Sequence, residues 1–296
     1  MDFSKIGEEI FMLRKSIGMS QTELSKGICT QAQISKIEKG LVYPYATTLY
    51  QIAKKLGVDL NYFFDIASSP NISYIKELES LLKQYRRKME YKKIQDIIHD
   101  ERKNPLVINN KYNFQLLLWH QGICLYHLDN QPKEAISILN QAIELTNQHL
   151  KVYSEREIEI INSKSVIYFE QHEYDLMLLE YKGIMGQLDS LHTQIDPTIK
   201  TRILYNTAKG LTRKEEYEQS IHYCMEGIEW CQETDNMYLF AELHYHIGYN
   251  YEALNDWQSA YEFMSKALFM FDIQNNHQYT PLIHRKLDDI HHLLLQ

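Results

Sequence analysis

Gly248 and Tyr251 stand three places apart, and Ala260, Met264 and Ala267 follow at intervals of four and three, in "HYHIGYNYEALNDWQSAYEFMSKALFMF". The same pattern falls on Ala208 and Leu211 with Ser220, Cys224 and Gly227, and on Ser165 and Tyr168 with Met177, Tyr181 and Ile184. It falls again on Gly122 and Leu125 with Ala135, Leu139 and Ala142, with one extra residue between the two groups. Residues three and four apart share a helix face. Each occurrence is therefore a pair of helices, close together where residues are small and filled where they are large. Successive units are displaced by about 40 to 43 residues. A unit repeated at near-fixed displacement buries its apolar face on the next copy, which predicts a stacked array. A more degenerate pair is expected of "ISYIKELESLLKQYRRKM" with "EYKKIQDIIHDE", and a capping helix of "YTPLIHRKLDDIHHLLL". With 6 prolines and 11 glycines in 296 residues, the chain reads as all-α with short turns.

The first 66 residues are different. In "SQTELSKGICTQAQISKIEKG", Ser20 and Thr30 each precede glutamine and then apolar residues at helical spacing: Leu24 and Ile28, then Ile34 and Ile37. Serine and threonine cap helix N-termini, because their oxygens accept from N–H groups left free in the first turn. Gly40 ends the second helix as a C′ glycine does. Two short capped helices in succession make a helix-turn-helix. Ile6, Ile10, Leu13 and Ile17 space a helix before it; Leu49, Ile52, Ala53 and Leu56 space one after it, and "VDLNYFF" gives a short fifth. On the helix that opens at Gln31, Ile34 and Ile37 point inward. Ala32, Ser35, Lys36 and Lys39 take the opposite face, with Gln31 exposed in the first turn. A glutamine amide can both donate to and accept from adenine, lysine can reach guanine acceptors, and alanine can meet a thymine methyl.

Charge follows the same division. The whole chain carries −8, but residues 1–66 hold 8 Lys+Arg against 7 Asp+Glu, leaving 23 against 32, or −9, for the rest. The first part alone can approach phosphates. No stretch nears the ~18 uninterrupted apolar residues of a membrane span. The start, Met1-Asp2-Phe3-Ser4-Lys5, lacks the basic-then-apolar order of a secretory leader, so a cytoplasmic location is expected. Cys29, Cys124, Cys224 and Cys231 have no CxxC spacing, which argues against zinc and disulfides. The "HYH" and "HH" histidines lie on diverging helix directions, so no metal site is expected. No nucleotide-binding or hydrolase motif occurs, and no catalytic residue or cofactor is expected.

The blocks "SQTELS", "QISKIEKG" and "LYQIAKKLGV" resemble, in this order, the five-helix DNA-binding domain of phage-repressor-like (XRE) regulators. By that resemblance Gln31, Ala32 and Lys36 fall on base-reading positions, and Gln21 and Arg14 on phosphate-contacting ones. The repeats follow tetratricopeptide (TPR) spacing. Both parts together resemble the PlcR-type peptide-sensing regulators of Gram-positive bacteria, within the RRNPP quorum-sensing group, most closely in "GLVYPYATTLYQIAKKLGV", "INSKSVIYFE" and "LYNTAKGL". The resemblance implies a five-helix domain at 1–66, a linker or first repeat helix at 67–88, and a right-handed superhelix of about five TPR-like pairs at 89–296. It also implies a homodimer on an inverted-repeat operator in double-stranded DNA, governed by a short signalling peptide in the concave groove. Asn162 and Asn206 match the family's groove asparagines, since one amide can donate to a peptide C=O and accept from its N–H. Tyr168, Leu204, Tyr205 and Tyr245 are expected to receive the peptide's side chains. Arg86, Arg87, Lys88, Lys92 and Lys93 lie where the family meets acidic groups or the peptide's carboxyl end. Two other readings stay open: a member of the group that binds a response regulator and promotes its dephosphorylation, and a constitutive repressor whose repeats only dimerise.

Overall fold

The computed structural model describes residues 4–66, 70–147, 152–190, 196–276 and 279–295. They form two compact units, Met1–Met89 and Glu90–Gln296, and the described residues contain helices and no strand.

The first unit holds α1 (Ser4–Ser16), α2 (Gln21–Ser25), α3 (Gln31–Glu38), α4 (Ala46–Leu56), α5 (Leu60–Ile66) and α6 (Pro70–Arg87). Ser20 caps α2 by accepting from the Glu23 N–H, and Glu23 reaches back to the Ser20 N–H. Thr30 caps α3 through the Gln33 N–H. Gly40, at φ 68°, lets the Leu41 N–H turn back onto the Lys36 carbonyl, so α3 stops there. Ile6, Ile10, Leu24, Ile34, Ile37, Leu49, Ile52 and Phe63 form one core. Ile17 departs from its expected place: α1 ends at Ser16, and Ile17 lies exposed beyond it. Gly7, which no sequence pattern singles out, carries α1 across the end of α3. A Cβ there would meet the Ile37 carbonyl oxygen at 2.0 Å. Of the apolar stripe expected on α6, Leu78 and Leu82 are buried and Leu81 is exposed. The Ile72 side chain and residues 67–69 lie outside the described residues.

The second unit runs through α7 (Tyr91–Glu101), α8 (Pro105–Ile108), α9 (Lys111–His127), α10 (Pro132–Thr146), α11 (Glu155–Glu170) and α12 (Tyr174–Ser190). It continues through α13 (Pro197–Arg213), α14 (Tyr217–Glu233), α15 (Phe240–Ala253), α16 (Trp257–Ile273) and α17 (Thr280–Leu294). α9 packs on α10, α11 on α12, α13 on α14 and α15 on α16, and each pair packs on the next. The small residues are where pairs touch: a Cβ on Gly248 would stand 2.6 Å from Met264 Cγ, and one on Gly122 2.8 Å from Leu139. The first helices α9, α11, α13 and α15 also touch in sequence, forming a continuous row. α17 closes the array on α16. The segment expected to supply a further pair divides instead: α6 belongs to the first unit, while α7 packs on α9. Among the described residues, no helix is long and apolar enough to cross a membrane.

Candidate functional site

Two constellations of amides stand out, one in each unit. In the first, α3 exposes Gln31, Ala32, Lys36 and Lys39, with Ser35 half-buried, while Ile34 and Ile37 sit in the core. Behind this face lies a buried ion pair. Arg14 Nε and Nη2 donate to the two Glu38 carboxylate oxygens at 2.5 and 2.9 Å, and Nη1 donates to the Met19 carbonyl at 2.7 Å. Glu38 Oε2 also accepts from Gln21 Nε2 at 2.7 Å, and Gln21 Oε1 accepts from Gln31 Nε2 at 2.6 Å. Burial pushes the Glu38 carboxyl up, but the Arg14 and Gln21 hydrogen bonds and the Arg14 charge outweigh it and hold the group below the usual range.

This arrangement gives Arg14 a structural role beside the expected one. Only 3 % of the residue is exposed, and all three guanidinium nitrogens are engaged within the unit. Three of its five N–H donors are thus spent within the unit, and the guanidinium's first role here is to hold Glu38. Gln21 is half-buried and spends its oxygen and one N–H on Gln31 and Glu38. Gln31 keeps its Oε1 and its second N–H, the acceptor and donor that a bidentate base contact requires.

In the second unit Asn162 and Asn206 meet, although their places in the repeat are one residue out of phase. Asn206 Nδ2 donates to Asn162 Oδ1 at 3.1 Å and to the Tyr181 hydroxyl at 3.2 Å. Tyr181 in turn donates to Asn162 Oδ1 at 2.9 Å. Burial pushes the Tyr181 phenol up, so it stays a donor at neutral pH. Both asparagines are largely buried. These bonds leave Asn162 Nδ2 and Asn206 Oδ1 without a partner among the described residues. One donor and one acceptor side by side is what the backbone of an extended peptide demands. The sequence reading placed Tyr181 only as a packing residue; nothing but its hydroxyl hints at the second role.

A recess of about 20 Å³ opens beside Asn206, walled by Val166, Phe169, Met177 and Tyr181. Asn206, Lys209 and Glu170 supply its polar lining. The expected aromatic wall is mostly elsewhere. Leu204 is fully buried in the helix packing, because it points 100° away from Tyr205 on the same helix. Tyr168 packs on the core shared by α11, α12 and α13, as its place in the repeat dictates, and Tyr245 packs on the core of α15, α16 and α17. Tyr205 alone of the four lies beside the site, its ring 5.2 Å from the Lys209 ammonium. Of the basic run, Arg86 and Arg87 close α6, and Lys92 in α7 donates to Gln95 at 3.0 Å. Among the described residues no cluster of three or more His, Cys, Asp or Glu could hold a metal ion.

Residues 77–289 match the RNPP family C-terminal domain, and residues 10–63 match a helix-turn-helix domain. The structure is similar to Bacillus thuringiensis PlcR in complex with the peptide PapR7 and DNA, at 27 % identity and a TM-score of 0.76, over 95 % of this chain and 99 % of that one. It is similar to ComR from S. thermophilus in complex with DNA and its signalling peptide ComS, at 17 % identity and a TM-score of 0.63, over 96 % and 99 %. The Streptococcus dysgalactiae SHP pheromone receptor Rgg2 gives 14 % identity and a TM-score of 0.65, over 96 % and 99 %. The last two likenesses concern the fold. A comparison with curated protein sequences finds no match.

Proposed function

We propose that this chain, which belongs to the RNPP family, is a DNA-binding transcriptional regulator whose activity is set by a short peptide held on Asn162 and Asn206. The observation that carries the reading is the free donor and acceptor on that pair. A ligand that covers these amide groups must pair them or lose about 1–3 kcal/mol each, and a peptide backbone supplies both partners at once. PlcR, the relative at 27 % identity, is described with a peptide and DNA together, which supports assigning both ligands here.

On DNA, α3 lies in the major groove with Gln31, Ala32 and Lys36 on base edges and Ser35 and Lys39 nearby. One such helix reads few bases, so a homodimer on an inverted repeat supplies the rest. Residues 1–66 form the reading head, 67–88 the connection, and 89–296 the peptide-binding and dimerising array. Arg86, Arg87 and Lys92 offer positive charge to acidic parts of the peptide. The peptide acts by binding two arrangements of the dimer with different affinity, which shifts the spacing of the heads. Such a regulator works in the cytoplasm and needs no catalysis.

The test is calorimetry with short peptides encoded by small open reading frames beside its gene, on wild type and Asn206→Ala. The variant should bind about ten- to a hundredfold more weakly, for a lost buried hydrogen-bond partner. Equal affinity would remove the asparagine clamp. Failure of both proteins to bind any peptide would leave a regulator whose repeats only dimerise.

A further inference from the structure

Among the described residues, three largely buried cations of the array are matched to carboxylates, and the half-buried Lys209 is not. Lys164 pairs with Glu180 at 2.8 Å, Arg202 with Glu159 at 2.7 Å, and Lys200 with Glu226 at 3.7 Å. Lys209 makes no hydrogen bond and no ion pair. Its ammonium rests between two ring faces, 5.0 Å from Phe169 and 5.2 Å from Tyr205. Glu170 lines the same recess and favours the charge from a distance, whereas Arg213, its guanidinium 6.0 Å from the Phe169 ring centroid, opposes it. Burial lowers the Lys209 pKa ahead of both. Ring faces compensate an ammonium weakly compared with a carboxylate that also accepts its hydrogen bonds.

Lys209 follows Asn206 by three residues on α13, so the two side chains stand one turn apart on the same face. Both line the one recess, and its volume of about 20 Å³ is far below the ~300–1,000 Å³ of a drug-sized ligand. It has room for about one water-sized group, such as a carboxylate oxygen. We propose that Lys209 anchors a carboxylate of the bound peptide, either its free chain end or an acidic side chain, next to the peptide group that Asn206 grips. This rests on the peptide-binding reading above and specifies what the peptide must carry. A carboxylate entering the cavity gives Lys209 the counter-charge its neighbours already have, with the aromatic walls excluding water from the pair. Specificity then arises from what the peptide covers: one that buries this ammonium without bringing a carboxylate to it leaves the charge desolvated and unmatched.

Four pools of random heptapeptides test this on the full-length protein: free or amidated at the carboxyl end, each with or without Asp and Glu. Retained peptides are identified by mass spectrometry, and the most enriched is titrated by calorimetry against wild type, Lys209→Met and Lys209→Arg. Any pool that keeps one source of carboxylate should be retained, and the pool lacking both should not; which pools succeed distinguishes chain end from side chain. Lys209→Met should lower affinity about tenfold or more, as for a lost charge-assisted hydrogen bond, and Lys209→Arg should restore most of it. Neutralising the peptide's carboxylate should weaken wild type by the same factor and leave Lys209→Met unaffected. Should Lys209→Met not fold, the peptide neutralisation and Lys209→Arg carry the comparison. Equal retention of the carboxylate-free pool, or equal binding by a folded Lys209→Met, would overturn the proposal while peptide binding stands. If neither wild type nor Asn206→Ala retains any pool, the peptide-binding reading falls, and this inference with it.

Discussion

Gln31 and Asn206 are both amides at the centre of a candidate site, and they are held in opposite ways. Behind Gln31 a chain of bonds runs through Gln21 and Glu38 to Arg14, and it ends on a buried ion pair. The amide is fixed before any ligand arrives. Asn206 leans on Tyr181 and Asn162, neutral groups that leave one donor and one acceptor open beside an unmatched lysine. A reading head gains from being rigid, because each base contact is then made without ordering a side chain. A sensor must gain stability when its ligand binds, and partners left open in the free state provide that gain.

Removing the anchor of the rigid site is the strongest way to break this contrast. Arg14→Ala leaves Glu38 buried without its counter-ion, and loss of one member of a buried pair costs about 3–5 kcal/mol. Thermal and denaturant unfolding should show the first unit melting early, with DNA binding lost on all sequences together. A variant that stays folded and merely weakens non-specific binding would return Arg14 to the phosphate-contacting role.

Gln31→Ala should cost about 1–3 kcal/mol on the operator, with relaxed preference at one base pair. Gln21→Ala should cost less, since it frees Gln31 without deleting it. Electrophoretic titration of operator variants separates the two. Identical losses, with identical base preferences, would mean that Gln21 contacts DNA directly and is not the support described here.

Tyr181→Phe sharpens the other half of the comparison. It removes the hydroxyl that joins the two asparagines and should cost roughly 1 kcal/mol of stability, the net value of a typical hydrogen bond. Peptide affinity should fall several-fold because Asn206 loses its orientation. Unchanged affinity by calorimetry would show that the asparagines are set by their own helices alone.

The smallest effect at neutral pH is an acid one. Glu38 titrates below the ordinary glutamate value, about 4.3. A depressed carboxyl contributes stability above its unfolded pKa and loses it as pH falls through the folded one. The first unit should therefore weaken below about pH 4, and Glu38→Gln should flatten that dependence. The pH profile of chemical denaturation, read at the first unit, checks it.

The amino-acid order by itself determined most of the helices, many of their ends and most inward faces, though Ile17, expected on α1, lies beyond its end. Caps at Ser20 and Thr30, the glycine stop at Gly40, and the close contacts at Gly122 and Gly248 all depend on residues within a turn or one helix pair. It also brought Gln31 and Lys36 forward, because an amide or cation at a fixed place on a helix wheel can be read without knowing its neighbours; Asn162 and Asn206 came forward through the resemblance to the PlcR-type regulators. Arg14 was legible as a cation, but its partner Glu38 is 24 residues away. The wheel could not say that the two would be buried together. Leu204 could be placed on a helix but not assigned to its packed side, and Gly7 looked like any helical glycine until α3 crossed it. Periodicity gives each helix its faces, a local property set by 100° per residue. Which face meets which neighbour, and so which polar groups find partners and which are left waiting, depends on how the helices pack, and only the tertiary structure decided that.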